Sequence, residues 1–238
     1  LCPMLVISME KEDYHMTEQK DKNGLTEAEY LSSYRRDGWP LPSVTADQVL
    51  ISPSGNSYEI LLVRRGGHPC INQWALPGGF VNEQEPPWKA AARELEEETS
   101  LSGLPPILLG VFGDPNRDVR GWTITCAYCT LVSRQQLNPQ AGDDAREACW
   151  FRLSWERQDG LLRICLTASP ESQACTPQGE AASPESCCRL TALLRPLALE
   201  NPIGRDTHYE LLENDGLAFD HAKIIATAIP HLEKLANP

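Results

Sequence analysis

The chain lacks any apolar run near the roughly 20 residues that a bilayer-spanning helix requires, and Leu5-Val6-Ile7 is too short for the apolar region of a signal peptide. No membrane partner is therefore expected, and the location expected is cytoplasmic. Cationic side chains are scarce: 21 Lys and Arg stand against 33 Asp and Glu, a formal net charge of −12. That balance disfavours attraction to nucleic-acid backbones and suits metal cations instead. No second Cys-x-x-Cys accompanies Cys126 and Cys129, and residues three apart in an extended segment point to opposite faces, so core thiols are favoured over zinc. Nine cysteines, an odd number without an export signal, argue for reduced thiols rather than a disulfide framework. No internal repeat is present. What remains, 238 residues with 41% hydrophobic and 23% charged, is the composition of one decorated globular domain.

Residues 1–24 are polar and aperiodic and read as a flexible tail. From Thr26 an N-cap with acidic residues behind it predicts a short helix that ends before Asp37-Gly38-Trp39-Pro40. Ser43 to Ile51 and Tyr58 to Val63, split by Pro53-Ser54-Gly55-Asn56, read as a hairpin. A helix is expected from Pro86 to about Thr99, with strands at Ile107 to Phe112, Thr123 to Val132 and Ala148 to Leu153. Residues 154–215 shift toward Ser, Pro, Gln and Cys and read as an insertion, either a strand-rich flap or a surface elaboration. Phe219 to Leu235 carries apolar residues at helical spacing and closes the chain.

The chemistry concentrates between Gly78 and Leu101. At 100° per residue, Glu94, Glu97 and Glu98 occupy one helical face, where like charges repel and a positive group must neutralise them. A hard divalent cation meets that demand, with Mg²⁺ as the expected cofactor and Mn²⁺ as its substitute. Acid at a helix C-terminus also opposes the macrodipole, which argues against a purely stabilising role. Arg93, four residues before Glu97, is placed to orient that carboxylate. Trp88, Ala91, Ala92 and Leu95 form the opposite, packing face.

Gly79, Glu85, Arg93, Glu94, Leu95, Glu97, Glu98 and Leu101 match in register the Nudix box G-x5-E-x7-R-E-U-x-E-E-x-G-U; Ser100 replaces its second glycine. The segment resembles that family. With Leu61-Leu62-Val63-Arg64-Arg65-Gly66, Trp74 to Val81, Gly113 to Asp118, Gly142-Asp143-Asp144-Ala145 and Leu217 to Ala222, the chain is similar to its ADP-ribose pyrophosphatase-like branch. Pro115, 14 residues beyond Leu101, stands near where that branch places a proline associated with ADP-ribose hydrolysis.

The resemblance implies an α/β/α sandwich with a mixed sheet, built from residues 25–153 and 216–238, with a strand-containing insertion before the last helix. It implies Mg²⁺-dependent attack of water on a nucleoside diphosphate derivative, ADP-ribose giving AMP and ribose 5-phosphate, in a homodimer. Glu94, Glu97, Glu98 and the Gly78 carbonyl would hold metal, and Glu85 would brace Arg93. The general base stays open among Glu98, Asp143, Asp144 and Glu147. Arg64, ahead of Arg117 and Arg120, would meet the phosphates, with Pro115 at the substrate; His221 is expected to cap or pack. The alternatives are an ADP-ribose-sensing transcription regulator without hydrolysis, or a hydrolase of NADH, nucleotide sugars, diadenosine polyphosphates or dNTPs.

Overall fold

The computed structural model describes residues 19–35, 38, 40–142, 145–169, 188–202 and 204–236, and the chain divides into units 1–41 and 42–238. In the first unit, α1 (Glu27–Ser33) starts at a capping box. Thr26 Oγ1 accepts the Glu29 N–H at 3.3 Å, and Glu29 Oε2 accepts the Thr26 N–H at 2.8 Å. Most of the expected tail lies outside the described residues.

In the second unit the strands are β1 (Ser43–Ser54), β2 (Ser57–Arg65), β3 (Trp74–Ala75), β4 (Gly78–Phe80), β5 (Ile107–Phe112), β6 (Thr123–Leu131), β7 (Ala145–Gln158), β8 (Leu161–Ala168), β9 (Arg189–Asn201) and β10 (Gly204–Asp215). They form one sheet in the order β10-β9-β8-β7-β2-β1-β6-β5, with β3 on β2 and β4 on β1. Among these strands β1 and β6 pair in parallel and the other pairs are antiparallel. Helices α2 (Pro87–Thr99) and α3 (His221–Ala236) cover opposite faces, completing the mixed-sheet α/β/α sandwich.

Strand alternation produces these layers. Val49, Ile51, Ile60 and Leu62 pack with Ile225, Ile229 and Leu232 of α3, whereas Leu50 and Leu61 pack with Leu95 of α2, and Ala46 with Ala90 and Ala91. Cys126 joins the α2 side and Cys129 the α3 side, the opposite faces expected for residues three apart. The strands of residues 154–215 continue the sheet beyond β7. Leu162, Ile164, Leu166, Leu190 and Leu194 enter the core beneath α3, so this segment supplies buried apolar area.

β1 and β2 pair only where Ile51–Ser54 meets Ser57–Ile60. Toward its start, β1 instead pairs with β4, setting Asp47 opposite Gly78 and Ala46 opposite Gly79, while β2 takes β3 at Val63 and Arg64. Residues 76–79 bridge the divergence, and the Gln48 N–H donates to Pro77 O at 2.8 Å. Ser100 ends α2 in the left-handed region (φ 59°), its N–H donating to Glu96 O at 2.8 Å. It thus takes the conformation that glycine adopts without penalty, at a cost of about 1 kcal/mol.

Candidate active site

Where β1 and β2 diverge, a cavity of about 350 Å³ opens, lined by Asp47, Glu94, Glu97 and Glu98, with Arg93 among them, and by Arg65, Arg117 and Arg120. Its floor exists because two residues have no side chain. A Cβ on Gly78 would lie 2.5 Å from Ala46 O, and one on Gly79 would lie 2.4 Å from the Glu94 carboxylate. The Gly78 N–H donates to Glu98 Oε2 at 3.0 Å.

Arg93 is the hub of the acidic helix. Its Nε and Nη2 donate to the two oxygens of Glu85, each at 3.0 Å, and Nη2 also reaches Phe80 O at 3.0 Å. Nη1 donates to Glu94 Oε1 at 2.8 Å and Glu97 Oε2 at 2.9 Å. Hydrogen bonds from Arg93 hold the Glu85 carboxyl at about 2, while the carboxylates raise the guanidinium pKa. Glu85 and Arg93 are thus joined by two parallel hydrogen bonds.

Glu98 has the opposite environment. Only 8% exposed, its carboxyl is pushed up to about 8, mainly by burial and further by Glu94 and Asp47, against the lowering effect of the Gly78 N–H. Asp47 is likewise raised by burial, while the Thr125 hydroxyl donates to its Oδ2 at 2.5 Å. Among the described residues no group of three acidic, thiol or imidazole side chains is arranged to hold an ion, because Glu94 and Glu97 turn to Arg93. The donor set nonetheless fits a hard cation: it is all oxygen, and a buried carboxyl among like charges calls for positive charge.

The opposite wall comes from the turn after β5 and from residues 217–221. Arg117 donates to both oxygens of Asp220 at 3.2 and 2.8 Å, and the pair is buried. Arg120 grips Asp118 through Nε and Nη2 and lies over the Phe80 ring at 4.9 Å and the Phe219 ring at 5.6 Å. Arg65 covers Phe219 at 5.0 Å. His221 Nδ1 accepts the Leu76 N–H at 2.9 Å, and burial lowers its pKa to about 4, leaving the ring neutral.

The structure therefore brings Gly78, Gly79, Glu94, Glu97, Glu98, Arg93, Arg117 and Arg120 to one cavity. It does not bring Arg64 there. Arg64 pairs with Glu147 at 3.2 Å, because strand alternation gives the cavity side to its neighbour Arg65. Pro115 is exposed in a turn closed by the Arg117 N–H to Asp114 O and does not line the cavity. Asp143 and Asp144 lie outside the described residues. Before them, the Gly142 N–H donates to Glu98 O at 3.1 Å, and a Cβ on Gly142 would meet Glu97 O at 2.5 Å. Sequence reasoning missed Asp47, Arg65 and Asp118 as cavity residues; a charged residue inside an apolar strand was the available signal for Asp47.

Comparison with known proteins places these residues in context. Residues 43–162 match the NUDIX domain. A MutT/nudix family protein from Enterococcus faecalis superposes with a TM-score of 0.61 at 30% identity, over 88% of this chain and 70% of that one. An ADP-ribose pyrophosphatase from Methanocaldococcus jannaschii is 39% identical over 48% of this chain and 63% of its own length. The ADPR responsive transcriptional repressor NtrR of Acinetobacter baylyi is 34% identical over 50% of this chain and 48% of its own. The chain thus spans about half to two-thirds of the length of these curated relatives.

Proposed function

The chain belongs to the Nudix family, and from that premise we propose that it is a Mg²⁺-dependent hydrolase of the diphosphate in ADP-ribose, or in a related nucleoside diphosphate derivative. The observation that carries this reading is the cavity in which a buried Glu98, raised to about 8, faces Glu94, Glu97 and Asp47 across from Arg65, Arg117 and Arg120. Glu94, Glu97, Glu98 and the Gly78 carbonyl are the residues to hold Mg²⁺, or Mn²⁺ in its place. When bound, such cations withdraw charge from diphosphate oxygens and acidify a water.

The protein's own groups then have separate tasks. Arg65, Arg117 and Arg120 meet the anionic substrate, with Arg117 held in place by Asp220 and Arg120 by Asp118. Arg93 keeps Glu94 and Glu97 oriented. Glu98, Asp143, Asp144 and Glu147 are the candidate bases; of the two among the described residues, Glu98 lines the cavity and Glu147 pairs with Arg64 outside it. A homodimer belongs to the same reading. Among the described residues no helix is long and apolar enough to cross a membrane.

A second reading is an ADP-ribose-responsive regulator without hydrolysis, favoured by the 34% identity to a repressor and set against the net charge of −12. One panel separates the two. With Mg²⁺, the protein is expected to convert ADP-ribose to AMP and ribose 5-phosphate with the highest kcat/KM among ADP-ribose, NADH, nucleotide sugars, diadenosine polyphosphates and dNTPs. Specific binding of operator DNA in a gel shift with no turnover of any of them would favour the regulator.

A further inference from the structure

Residues 216–221 run beside β3: the Trp74 N–H donates to Gly216 O at 2.9 Å and the Ala218 N–H to Trp74 O at 2.7 Å. This docking delivers Phe219 to Arg65 and Arg120, Asp220 to Arg117, and His221 to the turn carrying Gly78. Because the neutral His221 ring accepts the Leu76 N–H at Nδ1, its proton resides on Nε2. That nitrogen faces Asp47 Oδ1 at 3.9 Å, and Asp47 is held from its other oxygen by Thr125. Two residues after Leu76, the Gly78 N–H reaches Glu98. A buried imidazole needs partners for its nitrogens, and here the groups they face, the Leu76 N–H and Asp47, both belong to residues that line the cavity.

We propose that His221 is a positioning residue: by accepting the Leu76 N–H and facing Asp47, it fixes the turn through Leu76, Pro77 and Gly78 that presents the Gly78 N–H to Glu98. The consequence for catalysis rests on the role given to Glu98 above; the mechanical coupling does not. A closing helix would thereby govern the geometry of a carboxylate on a different helix, on the opposite face of the sheet.

The test compares His221→Phe, His221→Asn, His221→Gln and the core variant Leu232→Ala, by amide hydrogen exchange of the metal-free proteins and by steady-state kinetics with ADP-ribose and Mg²⁺. His221→Phe is expected to speed exchange at Leu76 and Gly78 by about tenfold or more. It should lower kcat by about 30-fold, as a small misplacement does, with KM within about threefold of the parent. His221→Asn keeps an acceptor for the Leu76 N–H and should recover most of both effects. His221→Gln, whose acceptor lies one carbon further out, should fall between. Leu232→Ala removes buried packing from the same helix and should lower Tm without changing kcat or the exchange at Gly78. Parental exchange and kcat in His221→Phe, or both changes reproduced by Leu232→Ala, would overturn the proposal. An inactive parent would refute the function proposed above, and the exchange comparison would still decide the role of His221.

Discussion

Replacing Glu98 by Gln is expected to raise the stability of the metal-free protein at pH 8 while removing hydrolysis. Its carboxyl is pushed from an ordinary 4.5 to about 8, so between those values the folded state holds a proton that the unfolded chain releases. Stability therefore falls as pH rises from about 4.5 to 8 and stays low above that. At about 1.4 kcal/mol per pKa unit, the loss is on the order of 3–5 kcal/mol. Gln keeps an oxygen for the Gly78 N–H, cannot ionise, and should shift Tm upward at pH 8 by roughly 5–15 °C for a domain of this size. At pH 4.5 the two proteins should melt alike. Turnover should drop by about a thousandfold or more if Glu98 holds metal or accepts the water proton. Thermal melts from pH 4 to 9, paired with kcat, check both halves; a Gln variant that melts lower than the parent at pH 8 contradicts this reading of the cavity.

The second large effect belongs to Arg93. One guanidinium serves Glu85, Glu94, Glu97 and the Phe80 carbonyl, so Arg93→Ala leaves three carboxylates without their shared partner. With these side chains partly exposed, a stability loss of about 2–3 kcal/mol is expected, together with a fall in kcat/KM of about 100-fold or more. Arg93→Lys should restore less than about tenfold of that activity, because one ammonium cannot reproduce two parallel bonds to Glu85 while reaching Glu94 and Glu97. The acid limb carries a further sign. Glu85 lies at about 2 in the fold, so its contribution is present above its ordinary 4.5 and disappears between 4.5 and 2. Melts over that range should be steeper for the parent than for Arg93→Ala, and parental kinetics in Arg93→Lys would remove the hub from the account.

What the sequence made legible follows one physical rule. Gly79, Glu85, Arg93, Glu94, Glu97 and Glu98 lie within twenty consecutive residues, and helical periodicity alone gathers the last three on one face, where Arg93 meets Glu94 and Glu97. The rest of the cavity depends on topology. Asp47 reaches Glu98 because β1 parts from β2 and accepts β4, which no local pattern announces. His221 and Asp220 arrive from more than a hundred residues downstream because residues 216–218 dock on β3. Arg64 and Arg65 differ by a single step of strand alternation, enough to move a side chain out of the cavity. The region from 154 to 215 reads as peripheral because its middle is rich in Ser and Pro, yet the leucines alternating on either side form sheet and core under α3.

The central claim is that the glutamates of α2 gather around divalent cations. It is tested most directly by titrating the protein with Mn²⁺ under electron paramagnetic resonance, beside a Glu94→Gln, Glu97→Gln double variant. The parent should bind Mn²⁺ saturably, in competition with Mg²⁺, and the double variant at least about tenfold more weakly, the scale of losing charged oxygen ligands. Equal Mn²⁺ affinity in the two proteins would contradict the claim.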